Sequence, residues 1–117
     1  MEEISLLSLN EYANLVLKNR SNPHVLADLQ LEMAVKAAYV SEGYKPIKVK
    51  KAVYWQKKYD VDEGKKPLSE NYMETQWEAS ELGLKEIRMK IELDGLDRLI
   101  QACKSIQFDA SREARNI

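Results

Sequence analysis

The sequence predicts an all-α protein: a helical hairpin with a short N-terminal helix and a long C-terminal helix. Apolar residues recur at three- and four-residue spacing along most of the chain, which is the periodicity of helices with one buried face. The three prolines and four glycines interrupt this pattern at only a few places. Hydrophobic residues make up 44% and charged residues 32% of the chain, a balance typical of a folded, charge-rich helical protein.

The length of 117 residues predicts a single domain over residues 1–117. A chain of this size buries roughly two thirds of its unfolded surface, so it needs no disulfide or metal to fold. The lone Cys103 has no partner within the chain, which favours a reducing compartment. The sequence has no apolar run of the ~20 residues that a transmembrane helix needs, and its acidic N-terminus does not resemble a signal peptide. We therefore expect a cytoplasmic protein with no membrane partner.

The first predicted element is a short helix over residues 9–20. Its apolar positions at helical spacing are Leu9, Tyr12, Ala13 and Val16. A helical arm over residues 23–59 follows, and Pro23 occupies the tolerated first helical position. The stripe of this arm is formed by Leu26, Leu29, Met33, Ala37 and Val40. Gly43 is a candidate helix stop and Pro46 predicts a kink, so the arm is either one bent helix or two.

A polar loop over residues 60–68 then leads to a long helix over residues 69–112, capped by Ser69 or Asn71. The apolar stripe predicted for this helix consists of Tyr72, Thr75, Ala79, Leu82, Met89, Leu93, Leu96, Ile100, Cys103 and Ala110. Its central part, from Leu82 to Cys103, is the predicted core or oligomer stripe. A second stripe of Leu84, Ile87 and Ile91 lies on another face. Two apolar stripes require two sets of partners, which predicts a homo-oligomer.

Charge is unevenly distributed along the chain. The net charge of -1 is the sum of -3 over residues 1–35, +5 over residues 36–66 and -3 over residues 67–117. The central block contains nine lysines and five of the nine aromatic residues. A near-neutral total therefore does not exclude a polyanion as a partner, but it restricts where one could bind.

Helical spacing divides the lysine-rich segment into two faces. Val49, Ala52, Val53 and Tyr59 are predicted to form its core face. The opposite face places four lysines around Tyr54, with Trp55 at the boundary. Lysines neutralise phosphates and exposed rings stack on unpaired bases, so this pattern predicts binding to single-stranded nucleic acid. The candidate binding residues are Lys48, Lys50, Lys51, Tyr54, Trp55, Lys57 and Lys58. The alternative is an ordinary solvated face whose lysine stems cover an aromatic ring.

Nothing in the sequence indicates an enzyme. His24 is the only histidine, and Cys103 lies on an apolar stripe with no histidine in its helix. The chain also lacks a glycine-rich phosphate loop and metal-ligand spacing, so we expect no catalytic residue, no metal site and no cofactor.

The order of features resembles the UvsY-like recombination mediators of tailed phages. The similarity covers residues 24–115. It includes the basic and aromatic segment Lys50–Asp60, which precedes a charged loop containing a glycine, and the long helix whose later half includes residues 93–105. The resemblance implies a ring-shaped oligomer that binds single-stranded DNA and contacts a recombinase and single-strand-binding protein. It also implies the cytoplasm of the host cell as the location.

From the residues and this resemblance together, we predict a recombination mediator that is not an enzyme and helps to load a recombinase on single-stranded DNA. The alternative is a small helical protein-interaction module, such as a phage inhibitor or adaptor of a host protein, that binds no nucleic acid.

Overall fold

A computed structural model describes residues 7–60 and 64–115 of the chain. This part of the protein consists of four helices and contains no strand, so the all-α prediction is confirmed. The helices are α1 (Leu9–Lys18), α2 (Pro23–Gln56), α3 (Glu70–Ala79) and α4 (Glu81–Arg115). None of these helices carries an apolar stretch long enough to cross a membrane.

The chain divides into two compact units. The first unit contains the residues up to Tyr39 together with those from Glu92 onwards, and the second unit is Val40–Ile91. Helices α2 and α4 therefore each contribute residues to both units. The predicted nucleic-acid-binding residues all lie in the second unit.

The core of the first unit is formed by α1, the first half of α2 and the later part of α4. Its buried residues are Tyr12, Val16, Leu26, Leu29, Met33, Leu96 and Cys103. Helix α1 begins with a capping box in which Ser8 and Glu11 bond each other's backbone N–H groups at 3.2 Å. Most of the apolar residues predicted for the first two helices thus belong to this core or pack against it, whereas Val40 lies in the second unit. Burial also raises the pKa of the Cys103 thiol, which keeps it in the unreactive neutral form.

Helix α2 continues without interruption through Gly43 and Pro46, which settles the open question of one helix or two. The prediction of a stop at Gly43 is wrong, and the helix ends at Gln56, slightly before the predicted Tyr59. Proline removes one backbone hydrogen bond from a helix interior. Residues on both sides of Pro46 nevertheless pack within the second unit, where Ile47 is buried and Tyr44 is half-buried. This packing is what holds the helix together across the proline.

The predicted helix over residues 69–112 is broken at Ser80, which corrects the expectation of one long helix. The break separates α3 from α4 because the backbone of Ser80 is extended, with φ −76° and ψ 159°. Its hydroxyl donates to the Trp77 carbonyl oxygen at 2.5 Å and accepts from the Gly83 N–H at 3.0 Å. One side chain therefore closes the end of α3 and caps the start of α4. Ser69 caps α3, as predicted.

The break at Ser80 changes which face of α3 is buried. The predicted positions Tyr72, Thr75 and Ala79 are exposed, whereas Met73 and Trp77 are buried. On α4 the predicted stripe is correct from Leu82 onwards. Leu96 and Cys103 are buried, and the half-buried members are Leu82, Met89, Leu93 and Ile100. Ala110, the last predicted member, is exposed. The predicted stripe is therefore correct from Leu82 to Cys103, and it fails on α3 and at Ala110.

Candidate nucleic-acid interface

The lysine-rich half of α2 packs within the second unit through a face that the sequence did not predict. Ile47 is buried on this face, and the half-buried residues that follow at helical spacing are Lys51, Tyr54, Trp55 and Lys58. The predicted core face is instead exposed to solvent. Ala52 is exposed, as are 65% of Val49, 58% of Val53 and 71% of Tyr59. The assignment of the two faces was therefore wrong.

Part of the polar face of α2 packs inwards, because Glu86 of α4 binds its side chains. This carboxylate is only 4% exposed. It accepts hydrogen bonds from Lys51 Nζ at 2.8 Å, from Trp77 Nε1 at 3.3 Å and from the Tyr44 hydroxyl at 3.3 Å. Lys90 Nζ lies 3.7 Å away. A buried carboxylate with this many donors can remain ionised, so a lysine face can pack where an apolar face was expected.

The donors around Glu86 also determine its acidity. Burial raises the pKa of this carboxyl, but hydrogen bonds from Lys51 and Trp77 and the charges of Lys51 and Lys90 outweigh burial. The pKa therefore lies below its usual value. The charge of Lys51 is correspondingly engaged by Glu86, which makes this lysine a structural residue of the second unit.

Lys58 is also paired. Its Nζ lies 3.1 Å from a Glu70 carboxylate oxygen and 5.6 Å from the centre of the Tyr59 ring. Only 19% of the Lys58 side chain is exposed, compared with 78% of the Glu70 side chain. This ion pair joins the end of α2 to the start of α3. Lys51 and Lys58, two of the four lysines predicted to hold phosphates, are thus engaged within the protein.

The predicted free ring of Tyr54 is half-buried, which corrects the expectation of an exposed stacking surface. Its hydroxyl donates to the Met73 carbonyl oxygen at 2.8 Å. Its ring centre lies 5.3 Å from that of Trp77, with 41° between the ring planes. The half-buried Trp55 meets the Tyr54 ring edge-on at 6.3 Å. Tyr54, Trp55 and Trp77 therefore form an aromatic cluster in which no ring is fully exposed.

Three of the predicted binding lysines remain exposed: Lys48, Lys50 and Lys57. Within residues 7–60 and 64–115, none of them forms an ion pair. Lys48 Nζ lies 4.8 Å from the centre of the Tyr44 ring, and Lys57 Nζ lies 5.7 Å from that of Tyr54. These contacts leave the charges accessible, because a cation above a ring still faces solvent.

Two of the exposed lysines lie beside an open cleft of about 280 Å³. One side of this cleft is lined by Lys50, Val53 and Tyr54 of α2 and by Lys57 in the turn that follows this helix. The other lining residues are Trp77, Ser80 and Leu82, which come from the α3–α4 corner. Lys50 and Val53 are three residues apart and share one edge of α2, and Lys57 lies just beyond the end of this helix.

The α3–α4 corner fixes the far side of the cleft through close backbone packing at Gly83. A Cβ at this position would lie 1.8 Å from the Trp77 carbonyl oxygen and 2.6 Å from the carbonyl carbon. Only glycine permits this approach, because any side chain would force the two helix ends apart. Trp77, three residues before the break, and Leu82, two residues after it, are thereby held in a fixed position in the cleft wall.

Sequence reasoning missed Trp77, Ser80 and Glu86 as parts of this region. The available signal was Ser80 followed directly by Glu81, because a serine before an acidic first turn is typical of a helix start. Trp77 was overlooked because it lies off the predicted stripe of a helix that was assumed to be continuous. No local pattern indicated that Glu86 would bind Lys51, since these residues are far apart in sequence.

Groups of metal-ligating side chains are not found among the described residues. His24 is exposed at the start of α2. Comparison with known proteins identifies no relative: no family model, curated protein or solved structure matches the chain.

Proposed function

We propose that this protein binds single-stranded DNA without sequence preference, through Lys48, Lys50 and Lys57. The observation that carries the proposal is the cleft, where two exposed lysines without an ion pair in the described structure flank an apolar wall containing Tyr54 and Trp77. Ammonium groups release counterions from phosphates, and aromatic surfaces attract unpaired bases. Lysine binds phosphate as a point charge and does not read base edges in the bidentate manner of arginine.

We further propose that the protein acts as a recombination mediator that loads a recombinase onto single-stranded DNA. This part rests on the resemblance of residues 24–115 to the UvsY-like mediators. It implies contacts with the recombinase and with single-strand-binding protein. The test is the rate of recombinase filament formation on DNA already coated with single-strand-binding protein. We expect the protein to increase this rate, and an unchanged rate would contradict the mediator role while leaving DNA binding intact.

A homo-oligomer would support such a role, because several weak sites on one assembly bind a long strand together. The exposed stripe on α4 is consistent with an unfilled contact surface, since 47% of Leu84, 40% of Ile87 and 63% of Ile91 are exposed. Light scattering tests this directly. A clean monomer of 13.5 kDa would count against the oligomer.

Fluorescence anisotropy of a labelled oligothymidylate, titrated at several salt concentrations, tests DNA binding. For a single strand, the slope of log K against log salt is about −0.7 for each phosphate neutralised. The variant Lys50→Ala/Lys57→Ala should therefore bind more weakly, with a slope that is smaller in magnitude by about 1.4. Neither lysine holds an ion pair in the described structure, so we expect the fold to persist.

The matched control is Lys18→Ala/Lys104→Ala, which removes the same charge from two exposed positions outside the second unit. We expect the control to keep the wild-type slope. Salt-insensitive binding by the wild type, or equal losses in the two double variants, would contradict the proposal.

The protein-interaction alternative also has a structural observation in its favour. Val49 and Val53 are exposed between the free lysines, and a surface that mixes apolar and basic residues also suits an acidic protein partner. The same titration separates the two functions. A protein-interaction module would give no salt-dependent DNA binding.

A further inference from the structure

The polar groups that line the cleft beside α2 are already bonded within the protein. The Tyr54 hydroxyl donates to Met73, the Trp77 indole N–H donates to Glu86, and the Ser80 hydroxyl bonds both Trp77 and Gly83. Val53 and Leu82 complete the wall with apolar side chains. Among the side chains that line the cleft, only the ammonium groups of Lys50 and Lys57 thus have free hydrogen-bond donors.

This arrangement suits a ligand with a flat, apolar body flanked by negative charge. The wall consists of two aromatic side chains and two aliphatic ones, so it offers dispersion and stacking contacts. The volume of about 280 Å³ lies just below the range of small-molecule sites, which begins at about 300 Å³. The cleft therefore has room for one planar ring system.

The spacing of the two lysines indicates how a polyanion would lie across the cleft. The stretch from Lys50 to Gln56, where α2 ends, rises about 9 Å along the helix axis, and Lys57 is the next residue, in the turn after the helix. Val53 lies between them, on the same edge of α2 as Lys50. A strand that follows this edge of α2 could contact both ammonium groups through successive phosphates and turn one base towards the wall.

We propose that the cleft receives one unpaired base, while Lys50 and Lys57 bind the phosphates on either side of it. This inference rests on the proposed DNA binding and deepens it, because it divides the affinity between phosphate contacts and a base contact. Apart from the two lysines, no side chain of the wall has a free hydrogen-bond donor to read a base edge, so we expect little preference among bases. A base stacked within a duplex cannot enter, so the cleft selects single strands over duplexes.

The experiment compares an oligothymidylate with an oligonucleotide of equal length and charge whose central nucleotides are abasic. Both strands retain the phosphates, and only the first can place a base in the cleft. We expect the abasic strand to bind about tenfold more weakly at equal salt, within the range measured for base–aromatic stacking. The salt slopes of the two strands should be the same, because the phosphate contacts are the same.

A matched pair of variants locates the effect. Val53→Phe fills the cleft without changing charge, whereas Val49→Phe makes the same substitution one turn earlier at an exposed position outside the cleft lining. Val53→Phe should remove most of the advantage of the thymidylate strand over the abasic strand, and Val49→Phe should retain it. Circular dichroism checks that both variants keep the helical fold.

The outcomes distinguish this inference from the proposed function. Equal binding of the thymidylate and abasic strands by the wild type would overturn the base site while leaving phosphate binding in place. Retention of the thymidylate advantage by Val53→Phe would also overturn it, because the base would then lie elsewhere. Failure of both strands to bind in a salt-dependent way would overturn the base site and the proposed function together.

Discussion

Replacement of Gly83 by alanine tests the close packing at the α3–α4 corner. An added Cβ would lie 1.8 Å from the Trp77 carbonyl oxygen, 1.6 Å inside the 3.4 Å at which ordinary van der Waals contact begins. The neighbouring atoms are backbone, so relief requires the helix ends to separate. Overpacking of this kind costs about 1–3 kcal/mol, whereas alanine gains at most about 1 kcal/mol of helix propensity. A contact of 1.8 Å with backbone belongs at the upper end of this range, so we expect a net loss of about 2 kcal/mol in the free energy of unfolding.

Gly43 provides the matched control, because it also lies within a helix but has open surroundings. A Cβ there would meet only the flexible end of the Met89 side chain, at 3.4 Å. The propensity gain is then not offset by a clash, and Gly43→Ala should stabilise the protein by up to about 1 kcal/mol. The same chemical change thus has opposite signs at the two glycines.

Urea denaturation followed by tryptophan fluorescence measures both effects. The chain has two tryptophans, Trp55 and Trp77, and both lie in the second unit, which contains the two substitutions. We expect the midpoint to fall for Gly83→Ala and to rise for Gly43→Ala at an unchanged slope. A stability of Gly83→Ala equal to or above that of the wild type would refute the reasoning, since the corner would then tolerate a side chain.

Two other predictions concern buried titratable groups. The pKa of Glu86 is lowered in the folded state, so its stabilising contribution is complete above the ordinary value of 4.5 and is lost as pH falls through the lowered pKa. Glu86→Gln should remove this part of the pH dependence of the urea midpoint, and an identical dependence in the variant would contradict the assignment. Cys103 is fully buried with a raised pKa, so a thiol reagent should modify it slowly in native protein and rapidly in urea. Rapid modification of the native protein would show that the thiol is accessible.

The sequence predicted the buried residues correctly where one apolar stripe runs along an unbroken helix. Leu26, Leu29 and Met33 on α2, and Leu96 and Cys103 on α4, are buried as their spacing predicted. The sequence did not predict the helix break at Ser80, because neither a proline nor a glycine marks that position. Serine fits both a helix surface and a helix cap, and only the approach of Gly83 to Trp77 decides between them.

The sequence predicted which segment carries exposed lysines, but it did not predict which side chains of that segment pack inwards. Lys48, Lys50 and Lys57 are exposed, as predicted, and their role in binding stays a prediction. The inward direction of Lys51 and Tyr54 depends on Glu86 and Met73, which lie in other helices. A helical wheel ranks residues by polarity alone, so it cannot anticipate that a buried carboxylate makes a lysine face the better one to pack.

The division of the chain has a consequence for the order of folding. The second unit is one continuous segment, whereas the first unit takes its core from residues on both sides of that segment, such as Met33 and Leu96. Joining those two parts across an unfolded connection of about 50 residues would cost several kcal/mol of chain entropy. Once the second unit has folded, Gly43 and Met89 near its two ends lie close together, so most of this chain entropy has already been lost. The segment with the candidate binding site is therefore also the one expected to nucleate folding, and its substitutions should alter the folding rate as well as the stability.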